Sequence, residues 1–470
     1  MSPDPVRLDA TPLGEFVSSF AAERHCPTLA WGVVLGDTLA ASGAVGDANE
    51  HTVYRIASMT KSFSAAATLL LRDEGVLRLD DPIAEHAPEL AALDRFDSAP
   101  ITVRDLLSMT SGLPTDDAWA DRHLDLTDDD LDRILREGLV FARPTGNAFE
   151  YSNLGYAFLG RVIHRASGRR IQDVISDRLL APLGMTATTW NRPDHDDWAR
   201  PKRWLDGHGG PEDGRYVDEL EPLGDGVMAA MGGIWTTVAD LARWVGWLDD
   251  AFPARDDADT WPLSRASRRE MQSAQQYIGF RTIAGVREPY SYGYGLVLAD
   301  DGELGPSVTH AGGLPGYGSN MRWLPGRRVG VIALANSTYA PMLELTARIL
   351  GLVDEQGVVP PARTPATTEV EAAASRLVAL LNGWNDRDAV DLLTSSCVLD
   401  DSLGRRAAAA AALIAETGTL SIGSVEATSA AGARLRCGGS AGGDVTISFL
   451  LAPRRPPRIQ SYTVTLDAST

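Results

Sequence analysis

The residues with the clearest chemical potential are Ser58 and Lys61, three positions apart at the start of a predicted helix. The chain has 43 Lys and Arg residues, and only Lys61 and Lys202 are lysines. Arginine stays protonated, whereas a lysine shielded from water can lose its proton and act as a base. Residues i and i+3 of a helix share one face, so the hydroxyl and the amine are expected within hydrogen-bond reach. The spacing predicts a serine nucleophile beside its activating base.

Ser-x-x-Lys is a weak signal by itself, because a helix-capping serine followed by a solvated lysine gives the same letters. Here the pair precedes a long apolar run, which ends near Gly75, a residue typical of a helix C-cap. The helix is therefore expected to be mostly buried, and Lys61 is not expected on a wet face.

Two further short motifs follow later in the chain. Tyr151-Ser152-Asn153 comes after the turn-forming Pro144-Thr145-Gly146 and immediately before a predicted helix over residues 154–166. His310-Ala311-Gly312-Gly313 ends an apolar stretch that predicts a strand. Taken alone, the tyrosine is also typical of a strand edge, and the histidine is also typical of a hydrogen-bonded structural residue.

Together the motifs run Ser-x-x-Lys, Tyr-x-Asn, then a basic residue with x-Gly on a strand. In this order and spacing the chain resembles the penicillin-binding-protein and serine β-lactamase superfamily, specifically its class C-like branch. That branch includes D-aminopeptidases, D-Ala-D-Ala carboxypeptidases, esterases and penicillin-binding-type thioesterases. The stretches 101–113 and 232–242 agree with the resemblance, which covers about residues 10–350.

The resemblance implies a role for each catalytic candidate. Ser58 would attack an acyl carbonyl after losing its proton to Lys61, directly or through Tyr151. The Tyr151 oxygen would protonate the leaving group and later activate the nucleophile that cleaves the acyl-enzyme. Asn153 would hold Lys61 and bind the substrate.

The strand motif is expected to form another part of the same site. The Gly313 N–H, together with the Ser58 N–H at a helix start, would form the oxyanion hole. Gly312 would leave space for substrate beside the nucleophile. His310 replaces the lysine of Lys-Thr-Gly enzymes and would contact substrate and join the proton network. This substitution occurs among esterase and D-peptidase relatives and disfavours efficient β-lactam hydrolysis.

Strand patterns at both ends of the resembling region enclose a helical middle, which predicts an α+β fold. The resemblance implies a β-lactamase/transpeptidase-like antiparallel sheet flanked by helices, with a helical lobe and the active site between the two. The predicted organisation is a catalytic domain over residues 1–353, a Pro-rich linker over 354–368 and an accessory domain over 369–470.

The accessory domain is predicted to be a small α+β unit of two or three helices followed by four strands. We expect a cone-shaped sheet of the nuclear-transport-factor-2-like (NTF2-like) kind, and a structural role because it carries no catalytic motif. In the catalytic domain, the stretches 192–221 and 255–287 are interpreted as insertions that border the cleft and affect specificity.

The formal charge of −20 disfavours nucleic acid and anionic membranes as partners. A cationic leader with an apolar core, a membrane-spanning run and paired cysteines are not found in the sequence, which predicts a cytoplasmic location. Asp194-His195-Asp196-Asp197 is interpreted as a solvated loop, so neither a metal nor a cofactor is expected. The composition sets no oligomeric state.

The sequence thus predicts a serine acyl-enzyme hydrolase that cleaves amide or ester bonds of D-amino-acid peptides or small acyl esters. Its substrate would be a small molecule or a peptide. One alternative is a penicillin-binding-type thioesterase that releases or cyclises a peptide bound to a carrier protein. A second is a catalytically idle scaffold that keeps the fold and binds a ligand, which intact Ser58, Lys61 and Tyr151 disfavour.

Overall fold

An eight-stranded antiparallel sheet is built from strands near the two ends of the first 360 residues. Its strands, in spatial order, are β2 (Thr38–Val45), β1 (Leu29–Leu35), β12 (Val329–Ala335), β11 (Tyr317–Leu324), β10 (Pro306–Leu314), β9 (Val297–Asp300), β8 (Val286–Tyr292) and β7 (Gln276–Ile283). Strands β11 and β12 are buried along their whole length. The predicted antiparallel sheet with flanking helices is therefore confirmed.

The computed structural model shows two compact units, Met1–Pro360 and Pro361–Thr470. The residues described are 8–91, 97–194, 196–205, 214–218, 224–252, 257–259, 262–300, 302–361 and 366–467. Among them, no helix combines the length and the apolar character needed to cross a lipid bilayer.

Helices cover both faces of the sheet. Successive strand residues point to opposite sides, so a strand with apolar residues at consecutive positions needs a helix on each face to bury them. Helices α1 (Thr11–Glu23) and α12 (Met342–Glu355) pack on one face, in a core that includes Trp31 and Val33. Helix α10 (Val238–Asp249) packs on the other face, in a core shared with Ala30 and Val34. The alternation along β1 decides which residues meet which helix.

The helical part of the first unit surrounds helix α2 (Thr60–Asp73), whose residues 60–71 are all buried. A helix buried on every side must sit in the centre of its neighbours. The other helices of this unit are α3 (Ile83–His86), α4 (Val103–Leu107), α5 (Asp117–Ala120), α6 (Asp128–Glu137), α7 (Asn153–Ser167), α8 (Ile171–Ile175), α9 (Ala229–Gly232) and α11 (Arg265–Met271).

Two short antiparallel pairs complete the first unit. Strands β3 (Tyr54–Arg55) and β6 (Trp235–Thr236) pair beside the start of α2. Strands β4 (Lys202–Leu205) and β5 (Arg215–Asp218) form a hairpin inside the stretch 192–221, of which residues 195, 206–213 and 219–221 lie outside the described residues.

The interpretation of residues 255–287 as an insertion is wrong for its second half. Strand β7 and the start of β8 fall there and complete the edge of the main sheet. Exposed and half-buried residues dominate both strands. An edge hairpin open to solvent lacks the apolar run that marks a buried strand, so its sequence shows no clear strand pattern.

The described part of the second unit contains four helices followed by a four-stranded antiparallel sheet in sequential order. Its own core includes Leu377, Leu435 and Ile447. The elements are α13 (Thr368–Asn382), α14 (Asp386–Leu392), α15 (Ser395–Asp400), α16 (Leu403–Thr417), β13 (Leu420–Ser429), β14 (Gly432–Gly439), β15 (Asp444–Leu451) and β16 (Ile459–Leu466). Four helices replace the two or three expected, and an NTF2-like cone stays a prediction.

The segment predicted as a linker over residues 354–368 is only partly a linker. Helix α12 extends to Glu355, and Val358 and Val359 pack against the core between α12 and the sheet. Helix α13 begins at Thr368, and residues 362–365 lie outside the described residues.

Candidate active site

Ser58 lies in a single 3-10 turn, Ala57–Met59, which leads directly into α2. The sequence placed it in the first turn of that helix. Ala57 has a positive φ of 50°, a sparsely populated conformation for a residue with a side chain. Ala57 and Met59, on either side of Ser58, are buried, whereas Ser58 is half-buried and lines a cavity. The bent turn thus presents the hydroxyl to the cavity.

Lys61 is fully buried and donates three hydrogen bonds from its Nζ atom. The acceptors are Ser58 Oγ at 2.9 Å, Asn153 Oδ1 at 2.7 Å and the Met231 carbonyl at 2.9 Å. The i and i+3 pairing expected from the sequence is present. Met231 lies in α9, so the amine is held by three separate segments of the chain.

Burial lowers the pKa of Lys61 to about 8, because a charged amine loses hydration inside the protein. The carboxylates of Asp117, Asp121 and Asp116 act in the opposite direction and favour the charged form. With this pKa the amine loses its proton near neutral pH, as a general base requires.

Tyr151 contacts both members of the pair. Its phenol interacts electrostatically with Ser58, and Lys61 Nζ lies 4.9 Å from the centre of its ring. Burial raises the pKa of the Tyr151 phenol well above its usual value of 10, with smaller contributions from nearby carboxylates. The phenol is therefore protonated at neutral pH and has a proton to donate.

Asn153 is the first residue of α7 and is oriented by two aspartates. Its Nδ2 donates to Asp117 Oδ1 at 2.8 Å and Asp116 Oδ1 at 3.1 Å, which leaves Oδ1 to accept from Lys61. Asp116 also accepts from the backbone N–H groups of Asn153 and Leu154, as an anion at a helix N-terminus does. The amide is thus fixed in the orientation that Lys61 needs.

Strand β10 brings His310 into the same region. Its Nδ1 lies 2.6 Å from the Ala311 carbonyl, which can only accept, so Nδ1 carries the proton. Its Nε2 then accepts from the Tyr292 hydroxyl at 3.3 Å. Burial, with a smaller contribution from the charge of Lys61, lowers the pKa of His310 to about 3, and the imidazole is neutral.

Gly312 allows β10 to contact the nucleophile turn directly. A methyl group at this position would lie 2.1 Å from the Ile56 carbonyl oxygen and 3.1 Å from Ala57 Cβ. Ser319, opposite Gly312 on β11, donates a hydrogen bond to the same Ile56 carbonyl at 2.7 Å. The strand and the turn are therefore locked together, and residues with larger side chains are excluded from position 312.

These residues surround a cavity of about 450 Å³, a volume typical of small-molecule sites. The predicted site residues that line it are Ser58, Tyr151, His310, Gly312 and Gly313. Lys61 and Asn153 lie behind them. The structure thus brings all seven predicted residues together. Within the described residues, no cluster of His, Cys, Asp and Glu is arranged to bind a metal ion.

Sequence reasoning missed several residues around this cavity. Asp117 and Asp121 line it, as do Arg281 and Tyr339. The two aspartates lie in a polar segment without hydrophobic periodicity, and Arg281 lies in the edge hairpin, whose sequence shows no clear strand pattern. Tyr339 follows β12 in a loop without a motif. Their proximity to Ser58 follows from chain crossings that local patterns do not encode.

Comparisons with known proteins agree with this geometry. The family model Beta-lactamase matches residues 13–354. Penicillin-binding protein 4* of Bacillus subtilis (strain 168) is 30% identical over 300 residues, which make up 61% of this chain and 61% of the relative. Protein flp of Staphylococcus aureus (strain MW2) is 28% identical over 305 residues, 63% of this chain and 55% of the relative. The match thus spans less than two thirds of either relative.

Two solved structures share the fold. The octameric penicillin-binding protein homologue from Pyrococcus abyssi has a TM-score of 0.63 at 22% identity, with 98% of this chain and 97% of that chain covered. A D-stereospecific amidohydrolase from Streptomyces sp. has a TM-score of 0.59 at 21% identity, with 72% and 97% covered. The chain belongs to the beta-lactamase family of serine hydrolases.

Proposed function

We propose that this protein cleaves amide or ester bonds of D-amino-acid peptides or small acyl esters through an acyl-enzyme on Ser58. One observation carries the proposal. The fully buried Lys61 amine lies 2.9 Å from Ser58 Oγ, and the Tyr151 phenol interacts with the same hydroxyl at the wall of a cavity. A nucleophile held by a base with a lowered pKa, beside a proton donor, is the arrangement that covalent catalysis requires.

In the acylation half-reaction, neutral Lys61 takes the proton of Ser58 as Oγ bonds to the substrate carbonyl carbon. The oxyanion accepts hydrogen bonds from the Ser58 and Gly313 N–H groups. The bond to the leaving group then breaks as Tyr151 donates its proton to the departing nitrogen or oxygen. The proton on Lys61 then passes to Tyr151 and replaces the one that the phenol gave away, so the net result is the transfer of one proton from Ser58 to the leaving group.

In the deacylation half-reaction, the Tyr151 and Lys61 pair takes a proton from water as its oxygen attacks the acyl carbonyl. The bond to Ser58 Oγ breaks and the serine regains a proton. An amine or a peptide N-terminus could replace water in this step, in which case the product would be a new amide. This second outcome corresponds to the thioesterase and cyclase alternative.

The cavity supports amino-acid-derived substrates over purely apolar esters. It is lined by the carboxylates of Asp117 and Asp121 and by Arg281, whose Nε donates to buried Glu288 at 2.6 Å and whose Nη2 has no hydrogen-bond partner. Charged groups of both signs suit a substrate that carries an amine and a carboxylate. The fold is also that of a D-stereospecific amidohydrolase.

The direct test is covalent labelling with a fluorophosphonate, followed by peptide mapping. We expect the label on Ser58, and Ser58→Ala should abolish labelling and turnover. Ser62→Ala is the matched control, since this buried serine lies in the first turn of α2, four residues after Ser58, and is hydrogen-bonded to Met59 and Trp244. Turnover of Ser58→Ala above about a hundredth of wild type would overturn the assignment.

Substrates are identified with a panel of D-amino-acid amides, D-dipeptides, nitrophenyl esters and peptidyl thioesters. Faster turnover of D-amides or short esters is the expected result. Preference for peptidyl thioesters, with cyclic or aminolysed products, would instead assign the thioesterase alternative. An unlabelled Ser58 and no turnover of any substrate would leave the non-catalytic scaffold.

A further inference from the structure

Tyr339 is a strained residue at the rim of the cavity, in the loop between β12 and α12. Its φ is 51°, in the left-handed region that a bulky side chain rarely adopts. Such a conformation is unfavourable and persists only where the surroundings hold it. Tyr339 is nonetheless accessible to solvent, with 46% of the residue exposed. Strain in a residue that is not buried in the core indicates a local role.

The loop backbone is held on both sides of Tyr339. The Tyr339 N–H donates to the Tyr317 carbonyl at 3.1 Å, at the start of β11. The preceding Thr338 donates from its N–H to the Lys202 carbonyl at 3.0 Å and accepts the Gly316 N–H on its Oγ1 at 2.8 Å. The stretch 192–221, through β4, thus supports the loop that presents the tyrosine.

The Tyr339 side chain crosses from the sheet to the helical part of the first unit. Its hydroxyl donates to Asp121 Oδ2 at 2.8 Å, and it is also hydrogen-bonded to Arg122. Asp121 follows α5 and is only 6% exposed. The ring lies against strand β10, since a methyl group at Gly313 would be 2.7 Å from Tyr339 Cδ1. Tyr339, Asp121 and Ser58 line one cavity.

We propose that Tyr339 is a specificity-determining residue of this site. Its ring is the wall that limits the size of the substrate group bound beside Gly313, and the hydrogen bond to Asp121 keeps that wall closed. The substrates admitted are compact, with amino-acid-sized or short-chain groups, whereas long-chain acyl groups are excluded. The inference rests on the proposed function for the chemistry, but the size limit belongs to the cavity itself.

Tyr339→Gly is the most direct variant, because glycine adopts a positive φ without strain and removes the ring. Nitrophenyl esters with acyl chains of increasing length measure the acyl side, and alkyl esters of one D-amino acid measure the leaving-group side. We expect the ratio of kcat/KM for long over short substrates to rise at least about tenfold in one series. Tyr339→Phe should shift the same ratio by less, since the ring stays but its anchor is lost.

Two controls separate a wall from a merely structural residue. Asp121→Asn keeps a hydrogen-bond acceptor and should leave the size ratio near that of wild type. Tyr277→Ala removes an exposed tyrosine of β7 and should do the same. An equal loss of activity on all chain lengths in Tyr339→Gly would mean that the residue supports the fold rather than sets specificity.

Binding without turnover makes the result independent of the proposed chemistry. The same esters are titrated calorimetrically into Ser58→Ala and into Ser58→Ala with Tyr339→Gly. Tighter binding of long chains in the double variant supports the wall, even if wild type proves inactive and the proposed function fails. The inference would be overturned if removal of the ring changed the ratio for long over short esters by less than about twofold in both measurements. The kinetic comparison is Tyr339→Gly with wild type, and the binding comparison is the double variant with Ser58→Ala.

Discussion

The Lys61 amine connects the nearby Ser58 with two distant segments of the chain, at Asn153 and Met231. At the scale of single residues, its value to the proposed chemistry is that it can lose a proton. Arginine would keep the charge but cannot accept a proton. We therefore expect Lys61→Arg to lower kcat/KM by about 100-fold or more, close to the loss in Lys61→Ala. Steady-state kinetics on a D-amide or an activated ester measures this.

Lys202→Arg is the matched control, because the chain has only these two lysines. Lys202 lies at the start of β4, where its side chain forms an ion pair with Asp218 that arginine can retain. Activity should be unchanged. If Lys61→Arg kept most of the activity, Lys61 would act only through its charge, and Tyr151 alone would be the base.

The lowered pKa of Lys61, about 8, predicts a pH dependence with a definite sign. Only the neutral amine accepts the Ser58 proton, so kcat/KM should rise with pH and level off above pH 8. Below that value the rate should fall about tenfold per pH unit. Asp121→Asn removes a carboxylate that favours the charged amine, so the midpoint should move to lower pH. A flat profile between pH 6 and 9 would contradict the role of Lys61 as the base.

At the scale of secondary-structure elements, the contact between β10 and the nucleophile turn fixes the position of Ser58. Gly312→Ala would place a methyl group 2.1 Å from the Ile56 carbonyl oxygen, and backbone must move to admit it. Overpacking of this kind costs about 1–3 kcal/mol of stability. We expect a lower unfolding midpoint in denaturant and at least about a tenfold slower labelling of Ser58, since the nucleophile shifts.

Gly351→Ala provides the comparison, because this glycine lies within α12 and an added methyl group meets nothing within 4 Å. Alanine is the better helix former, so stability should rise by about 1 kcal/mol and labelling should not change. Normal labelling of Gly312→Ala would show that the turn holds Ser58 without support from β10.

At the scale of the whole molecule, the residues of the candidate site all lie in the unit Met1–Pro360. A shortened chain should end at Pro360 and no earlier. Val359 is buried in the core of that unit, and the Pro360 carbonyl accepts a hydrogen bond from Arg327. A chain ending at Pro360 should fold, melt within about 3 °C of the first transition of the full chain and label at Ser58 at the same rate.

A chain ending at Leu352 is the useful contrast, because it removes the last turn of α12 and the buried Val353. It should lose stability. If the Pro360 chain also failed to fold, the second unit would be needed for the core of the first, and the two units would not be independent. Normal activity on small substrates with loss on large ones would give the second unit a part in substrate binding.

The family, the α+β class and the candidate site residues could all be predicted from the sequence. Ser58 and Lys61 are separated by three positions, and helical geometry brings such residues together whatever the rest of the chain does. The Tyr-x-Asn and His-x-Gly segments were recognisable because each needs a particular residue at a short, fixed spacing. Long apolar strands such as β12 could be predicted because a continuous apolar run is also a local sequence pattern.

The surroundings of those residues became visible only in the folded structure. Asp121 and Tyr339 are 218 positions apart and meet through one hydrogen bond across the cavity. The pKa of Lys61 depends on complete burial and on three aspartates from another segment. The edge strand β7 was missed because its residues are exposed or half-buried and carry no apolar period. Burial, charge environment and cavity walls arise where distant segments cross, and local sequence patterns carry no record of those crossings.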